Sequence, residues 1–437
     1  MRLSRRHFLL GASAALVLPA QAASGADGAE ILRRWYRLVL RLVRHTPTYS
    51  PPVASRAFAY LGVAAYQAVA SGSTSLLSLE GQLNGLKGLP PREAGAAYSD
   101  AIITHCVMAS AIKVFFGNTG PTGQRVMAAT EKKLKGEALA GVAEDVATRS
   151  LSYGEALTAA IVAWSETDGG AVVENMGFPM DYALHEGPAR WVPTSAIRQQ
   201  QAPLLPVWGK NRSFAMPDGA SCPLPPPPAY SEDPASAFYR EAREVYDVTR
   251  ALTPEQEAIA RFWSDDPMLS PTPPGHWISI ALDILEQERA GLDKSADLLM
   301  RLGVAMADAF IGCWNAKFQY DLLRPVTYIK RLIDPKWEPM LITPPFPEYP
   351  SGHSTQSGAA AAVLTSIYGE RFHFMDRTHE RDGLAPRSFA SFVEAAEEAG
   401  ISRLYGGIHF RAAIARGLEQ GRCIGAHAVA LRTRSST

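Results

Sequence analysis

The sequence has no excess of charge of either sign and few cysteines. Its 437 residues hold 43 lysines and arginines against 43 aspartates and glutamates, so neither nucleic acid nor an anionic membrane surface is indicated as a partner. The four cysteines form no CxxC pair, which argues against a structural zinc or haem-attachment motif. One disulfide, two disulfides and buried reduced thiols all stay open, the last especially for Cys313, which lies in a helical pattern.

Long apolar runs are also missing after the N-terminal segment. A membrane helix needs roughly 20 nearly uninterrupted apolar residues, whereas the longest uncharged stretch, 57–79, contains Gln67 and a Ser-Gly-Ser-Thr-Ser cluster. We therefore expect no membrane insertion of the mature chain. Strict alternation of apolar and polar residues, which is typical of half-buried strands, is scarce as well.

The first 22 residues predict an export signal. Residues 4–10, Ser-Arg-Arg-His-Phe-Leu-Leu, form a twin-arginine pattern that leads into a mildly apolar run, and residues 20–22, Ala-Gln-Ala, offer a small-residue cleavage site. A short membrane anchor is the alternative, but the run is too short and too rich in Gly and Ala to span a bilayer. The prediction is a periplasmic or secreted protein, exported by the twin-arginine pathway.

The periodicity of the remaining chain predicts an all-α fold. Apolar residues recur at three- and four-residue steps, as at Ile31, Leu32, Trp35, Leu38, Val39 and Leu42. We divide the chain into a signal peptide (1–22), an N-terminal helical region (23–200), a Pro-rich connection (201–235) and a C-terminal helical domain (236–437). The connection could cover a site, wrap a partner subunit in a homo-oligomer, or merely connect.

Three short segments of the C-terminal domain carry candidate chemistry, and the first spans residues 317–325. Lys317 and Arg324 are seven apart, so on one helix they would share a face, ~10 Å apart along the axis. Pro325 disfavours the helical conformation for the residue before it, so the helix should end or kink near Arg324. A basic pair at this spacing often marks a solvated face, but the aromatic neighbours Trp314 and Tyr320 indicate burial.

The second segment reads Pro350-Ser351-Gly352-His353 and precedes a run of small and apolar residues. This pattern predicts a helix with Ser351 at its N-cap and with Gly352 open to close approach by a ligand. A helix N-terminus is a ready anion site, and His353 would point at its occupant. The alternative is an ordinary helix start with a surface histidine.

The third segment runs from Ser402 to His409. Arg403 offers a planar, permanently charged donor suited to an oxyanion, and Gly406 and Gly407 permit close backbone approach to a bound group. The alternative for His409 is a hydrogen-bonded core histidine, because it stands between Ile408 and Phe410.

Together the segments match K-x6-R-P, P-S-G-H and S-R-x5-H, in this order, over residues 317–409. This pattern resembles the signature shared by type 2 phosphatidic acid phosphatases, class A bacterial acid phosphatases and vanadium-dependent haloperoxidases. Residues 262–265, 273–277 and 343–350 are further similar to the bacterial haloperoxidase branch. The resemblance implies a helical-bundle fold and a pocket for vanadate, which phosphate could also occupy.

The resemblance also implies a role for each motif residue. Five residues would bind the oxyanion cofactor: Lys317, Arg324, Ser351, Gly352 and Arg403. His409 would be the metal ligand, His353 the acid–base residue, and Lys317 would also polarise peroxide. The implied substrates are hydrogen peroxide, a halide and a small organic acceptor, and the implied product is hypohalous acid.

The main alternative is a soluble periplasmic acid phosphatase with a phosphohistidine intermediate at His409. In the family pattern an Asp four residues after this histidine commonly orients its ring, but this chain has Ala413 there, which weakens the phosphatase interpretation and leaves the partner of His409 unidentified. Asp265 is a candidate carboxylate behind Arg403, or else a surface acid. Phe346 is closer to chloride-oxidising members, although its ring could equally be packing. A non-catalytic oxyanion-binding protein ranks third, because His353 is present.

Overall fold

Helices make up most of the structure. A computed structural model describes residues 26–171, 177–195 and 201–434, so the predicted signal peptide lies outside the described residues. Within these ranges there are thirteen α-helices: α1 (Gly28–Arg44), α2 (Pro51–Ala70), α3 (Asp100–Phe115), α4 (Pro121–Leu139), α5 (Glu144–Ser165), α6 (Ala237–Arg250), α7 (Pro254–Phe262), α8 (Thr272–Gln287), α9 (Leu292–Tyr320), α10 (Pro325–Leu332), α11 (Gly352–Tyr368), α12 (Phe392–Tyr405) and α13 (Arg411–Val429).

The strands that the structure describes are two short ones in a single hairpin. β1 (Phe374–Asp376) pairs antiparallel with β2 (Arg387–Phe389), and Phe374 stands opposite Phe389. The described residues also contain two single 3₁₀ turns, Trp208–Lys210 and Glu380–Asp382, and two isolated antiparallel bridges, Leu76 with Arg434 and Arg190 with Leu322. The predicted all-α class is confirmed.

The core is built around α9, which is buried along most of its length. It packs against α2 so closely that a Cβ on Gly62 would lie 2.8 Å from the Met300 Cα atom. Helices α11 and α13 approach each other more closely still, because a Cβ on Gly421 would lie 2.0 Å from the Thr355 carbonyl oxygen. None of the described helices combines the length and the hydropathy that crossing a bilayer requires.

The chain turns sharply between Lys317 and Arg324. Helix α9 ends at Tyr320, Asp321 takes the left-handed conformation (φ 49°, ψ 44°), and Arg324 is the extended N-cap of α10. The interpretation that the two basic residues share a face of one helix is therefore wrong. The predicted helix end is confirmed, and its reason is local, since Pro325 can begin a helix but cannot continue one.

Residues 201–236, which precede α6, pack against the C-terminal helices. A disulfide joins Cys222 to Cys423 of α13, and the Tyr349 hydroxyl donates to the Pro225 carbonyl oxygen at 2.6 Å. Of the four cysteines, this structure therefore pairs two. Cys106 and Cys313 are buried thiols, as the helical pattern indicated for Cys313.

Candidate active site

A cavity of about 640 Å³ lies where the second and third motif segments meet. Its lining includes Gly352 and His353 from the first turn of α11, Arg403 from the last turn of α12, and His409 from the turn before α13. Residues 57 positions apart in the chain thus face one space.

The loop before α11 and the turn between α12 and α13 place His353 and His409 at this cavity, and the conformation of each is set by residues close in sequence. Ser351 caps α11 and its side chain accepts from the Ser354 N–H at 3.3 Å, which confirms the predicted N-cap. Gly407 lies at φ 77°, a conformation open to glycine, and it turns the chain from α12 towards His409. The Ser351 N–H donates to the Ala413 carbonyl oxygen at 3.0 Å, so the second segment is joined directly to the first turn of α13.

Arg324 lies beside His409, fully buried. Its Nη1 donates to the Ile408 carbonyl oxygen at 2.9 Å and lies 3.1 Å from His409 Nε2. Its Nε donates to the Phe346 carbonyl oxygen at 2.8 Å. Its Nη2 is buried and has no hydrogen-bond partner in the described part of the chain. Burial lowers the pKa of Arg324 to about 10, so the group stays charged at neutral pH.

Lys317 lies behind the cavity wall. Its ammonium donates to the carbonyl oxygens of Pro347 (2.8 Å), Glu348 (3.0 Å) and Pro350 (2.5 Å). All three donors are therefore engaged with the loop before α11, and Nζ also lies 5.0 Å from the centre of the Phe346 ring. Burial lowers the pKa of Lys317 to about 7.

The neighbours of His409 determine which ring nitrogen carries its proton. Nδ1 is 2.8 Å from Glu348 Oε1, an atom that also accepts from the Phe410 N–H at 2.9 Å. Nε2 faces Arg324, whose guanidinium can only donate. The neutral ring therefore carries its proton on Nδ1 and presents a lone pair at Nε2. Burial lowers the pKa of His409 well below its usual value, and the charges of Arg324 and Lys317 lower it further.

Glu348 is the functional residue that sequence reasoning missed. It supplies the contact that the family pattern assigns to an Asp at position 413, so Ala413 does not leave the His409 ring without a partner. Its side chain is fully buried, and burial raises its pKa to about 8 although Arg324 and Lys317 act in the opposite direction. An acid held between Pro347 and Tyr349, directly before the P-S-G-H segment, was the available signal.

His353 is the second imidazole at the cavity. Its Nε2 atom is buried and without a hydrogen-bond partner among the residues described. Burial lowers the pKa of His353 well below its usual value, and the charge of Arg403 adds to this effect, so the ring is neutral here. The alternative of a surface histidine is therefore wrong.

Arg403 is held by the chain that follows α7. Its Nη2 donates to the Trp263 carbonyl oxygen at 2.5 Å, and its Nε donates to the Ser402 hydroxyl at 2.9 Å. Burial lowers the pKa of Arg403 to about 10. Asp265 is only 3% exposed, so it is not a surface acid. It influences Arg403 through its charge, but its hydrogen bonds go to His276 and His379.

The site has the chemistry of an oxyanion pocket. Arg324 Nη2 and His353 Nε2 have no partners within the described ranges, and a buried donor without a partner costs free energy unless a ligand satisfies it. The basic residues Lys317, Arg324 and Arg403 are buried, and all three charges act on His409. A tetrahedral dianion such as vanadate or phosphate would satisfy both the charge and the open donor, so the residues present fit the implied cofactor.

Comparisons with known proteins agree on one family. A family model, described as the second helical-bundle domain of VCPO, matches residues 297–336 and 332–436. The vanadium chloroperoxidase of Curvularia inaequalis is 28% identical over 144 residues, which cover 27% of this chain and 24% of that enzyme. The chain therefore matches this curated relative over only part of its length.

Solved structures match over most of the chain. The crystal structure of a bacterial vanadium-dependent iodoperoxidase superposes with a TM-score of 0.83 and 37% identity, covering 94% of this chain and 98% of that one. A holo-type bacterial vanadium-dependent chloroperoxidase gives a TM-score of 0.65 at 16% identity, covering 94% and 93%, a likeness that concerns the fold alone. The match to the iodoperoxidase, at this identity and coverage, shows that the chain belongs to the vanadium-dependent haloperoxidase family.

Proposed function

We propose that this protein is a vanadate-dependent haloperoxidase that oxidises a halide with hydrogen peroxide. One peroxide, one halide and one proton would give one hypohalous acid and one water, and the hypohalous acid would halogenate a small organic acceptor. The observation that carries the proposal is the His409 ring, because Glu348 fixes its proton on Nδ1 and its Nε2 lone pair faces the guanidinium of Arg324. The iodoperoxidase relative supports the same reaction class.

Six residues would hold the vanadate. The metal ligand would be His409, and the oxygen-binding residues would be Lys317, Arg324, Ser351, Gly352 and Arg403. Bound vanadate supplies a Lewis acid that activates peroxide without an electron-transfer partner. Since all three donors of the Lys317 ammonium are engaged with backbone carbonyls, Lys317 would act on the vanadate oxygens through its charge and not through a hydrogen bond in this arrangement.

His409 and His353 would have different roles in the reaction. Glu348 accepts the Nδ1–H of His409, so the ring cannot turn its lone pair away, whereas burial and the charges of Arg324 and Lys317 keep the ring neutral. His353, also neutral, can accept a proton at Nε2 and return it to the departing oxygen. Because the overall reaction consumes one proton, His353 would have to take up a proton from solvent in each turnover and deliver it to this oxygen.

Iodide is the halide that we propose. The solved relative that this chain matches over 98% of the relative's length is named an iodoperoxidase. The ring of Phe346 lies 4.8 Å from the Trp314 ring and 4.9 Å from the guanidinium carbon of Arg324. A large, weakly hydrated anion suits an apolar wall beside a positive charge.

The reaction is tested by halogenation of a chromogenic phenol with peroxide and iodide, bromide or chloride, with and without added vanadate. Hydrolysis of p-nitrophenyl phosphate is measured in parallel. We expect vanadate-dependent iodination, which His409→Ala abolishes and His373→Ala, a change at an exposed histidine, leaves intact. Phosphate ester hydrolysis that vanadate inhibits, with no halogenation, would instead establish the phosphatase alternative.

We also propose that the twin-arginine signal exports the protein to the periplasm or medium. The disulfide between Cys222 and Cys423 supports this localisation, because such bonds persist in oxidising compartments. Fractionation of cells that express the full chain, with and without replacement of Arg5 and Arg6 by lysine, tests it. Equal amounts in the cytoplasm for both proteins would refute export by this route.

A further inference from the structure

A second cluster of histidines and carboxylates lies beside the cavity, and the haloperoxidase reaction does not use it. Asp265 stands between two imidazoles: its carboxylate is 3.0 Å from His276 Nδ1 and 3.2 Å from His379 Nε2. The three side chains are buried, and their ligand atoms all lie within 4.8 Å of one another. Asp265 takes a left-handed backbone conformation (φ 49°) in this arrangement.

The outer nitrogen of each imidazole is also held by a carboxylate. His276 Nε2 is 2.7 Å from Asp376 Oδ2, and His379 Nδ1 is 3.1 Å from Asp382 Oδ2. In known metal sites a ligating histidine almost always donates its second ring N–H to a carboxylate, a carbonyl or water, which orients the ring. Both histidines here have that outer partner.

The hydrogen-bond pattern of the cluster requires more positive charge than two neutral imidazoles provide. All four ring nitrogens face carboxylate oxygens, so a neutral imidazole would turn one lone pair towards an anion. The three carboxylates, of Asp265, Asp376 and Asp382, are offset in part by two guanidinium groups, since Arg44 is 2.7 Å from Asp382 and the charge of Arg403 acts on Asp265. The remaining positive charge comes either from extra ring protons, on rings whose centres are 4.9 Å apart, or from one divalent cation.

We propose that Asp265, His276 and His379 bind a divalent transition-metal cation of the zinc class. The cation would be bound by His276 Nδ1, His379 Nε2 and the Asp265 carboxylate. Both rings would then be neutral, with His276 Nε2–H donating to Asp376 and His379 Nδ1–H donating to Asp382. Two imidazoles and one carboxylate suit zinc, which commonly takes three protein ligands and a water. Calcium and magnesium prefer all-oxygen sites.

The cation would stabilise the part of the oxyanion cavity that holds Arg403. Its ligands come from the chain after α7, from α8 and from the loop after β1, which are distant in sequence. The Trp263 ring stacks on His276 with centres 4.4 Å apart, and its carbonyl oxygen accepts from Arg403. Loss of the cation would therefore weaken oxyanion binding, a consequence that rests on the proposed oxyanion site, whereas cation binding itself does not.

The test is metal binding by the full-length, tag-free protein. After dialysis against a chelator, Zn²⁺ is titrated by calorimetry, Co²⁺ is added to obtain a visible absorption spectrum, and retained zinc is measured by elemental analysis. Vanadium is determined separately in the same samples. We expect one equivalent of Zn²⁺ and a Co²⁺ spectrum typical of low coordination number.

Variants separate this site from adventitious binding. His379→Ala should lower the Zn²⁺ affinity at least about 100-fold, and Asp382→Asn about 10- to 100-fold. His373→Ala, an exposed histidine six residues from His379, should leave it unchanged. Asp382 is 21% exposed and tolerates substitution better than the core residues, so it decides the question if His379→Ala does not fold. The proposal would be overturned if the unmodified protein bound no Zn²⁺, or if the folded His379→Ala and Asp382→Asn proteins bound Zn²⁺ as tightly as the unmodified protein. The cluster would then be a protonated ion-pair network.

Discussion

Replacing Glu348 is the sharpest perturbation of the proposed vanadate site. Glu348 Oε1 accepts hydrogen bonds from the His409 Nδ1–H and from the Phe410 N–H, and the side chains of Glu348 and His409 are almost wholly inaccessible to water. Glu348→Ala leaves these donors without a partner, and water cannot easily replace the carboxylate. Glu348→Gln keeps the volume and an oxygen that can accept from both donors.

The magnitude follows from these contacts. A buried N–H group left unsatisfied costs about 1–3 kcal/mol. Loss of the partner that orients a metal-ligating imidazole lowers metal affinity about 10- to 100-fold, or about 1.4–2.7 kcal/mol. We therefore expect Glu348→Ala to bind vanadate about 10- to 100-fold more weakly, and Glu348→Gln to lose less than about tenfold.

Isothermal titration calorimetry with vanadate and with phosphate measures the effect. The loss should be larger for vanadate, because the proposed bond to His409 Nε2 concerns that ion. Glu338→Ala removes a carboxylate at the same cavity that pairs with Lys330 at the surface, and it should change neither affinity. Unaltered vanadate binding by a folded Glu348→Ala protein would refute the orienting role, and an equal loss in Glu348→Gln would show that charge, not the accepting oxygen, matters.

Three further predictions concern other parts of the molecule. Arg324→Lys removes the planar fork whose Nη1 contacts Ile408 and His409, so phosphate affinity should fall by about 1–3 kcal/mol in the same titration, and an unchanged value would exclude Arg324 from the pocket. Burial and Arg403 hold the pKa of His353 low. Because a bound dianion favours the charged ring, phosphate binding at pH 7 should take up a proton. Calorimetry in buffers of different ionisation enthalpy detects this uptake, which His353→Ala should reduce, while the part due to Lys317, whose pKa is about 7, should remain. Replacing Cys222 and Cys423 by serine should lower the unfolding free energy by about 2–5 kcal/mol under oxidising conditions, and an unchanged denaturant midpoint would contradict a contribution of the disulfide.

The sequence alone determined those features that depend on neighbours along the chain. The three- and four-residue periodicity indicated helices, Pro325 stopped one helix and began the next, and Ser351 marked the N-cap of α11. These signals are local, because a helix end is decided by the backbone conformation of a few adjacent residues. The ordered motifs over 317–409 also identified the family, since a signature needs only residue types and spacing.

The tertiary structure decided the partners of the functional groups. Glu348 reaches His409 across 61 residues of chain, and Asp265 meets His379 across 114. The left-handed turn at Asp321 separates Lys317 from Arg324, and Cys222 pairs with Cys423 across 201 residues. Spacing cannot predict such contacts, because they depend on how α9, α11 and α13 pack together. The charge and hydrogen bonding of a buried side chain are set by that packing, and not by its neighbours in sequence.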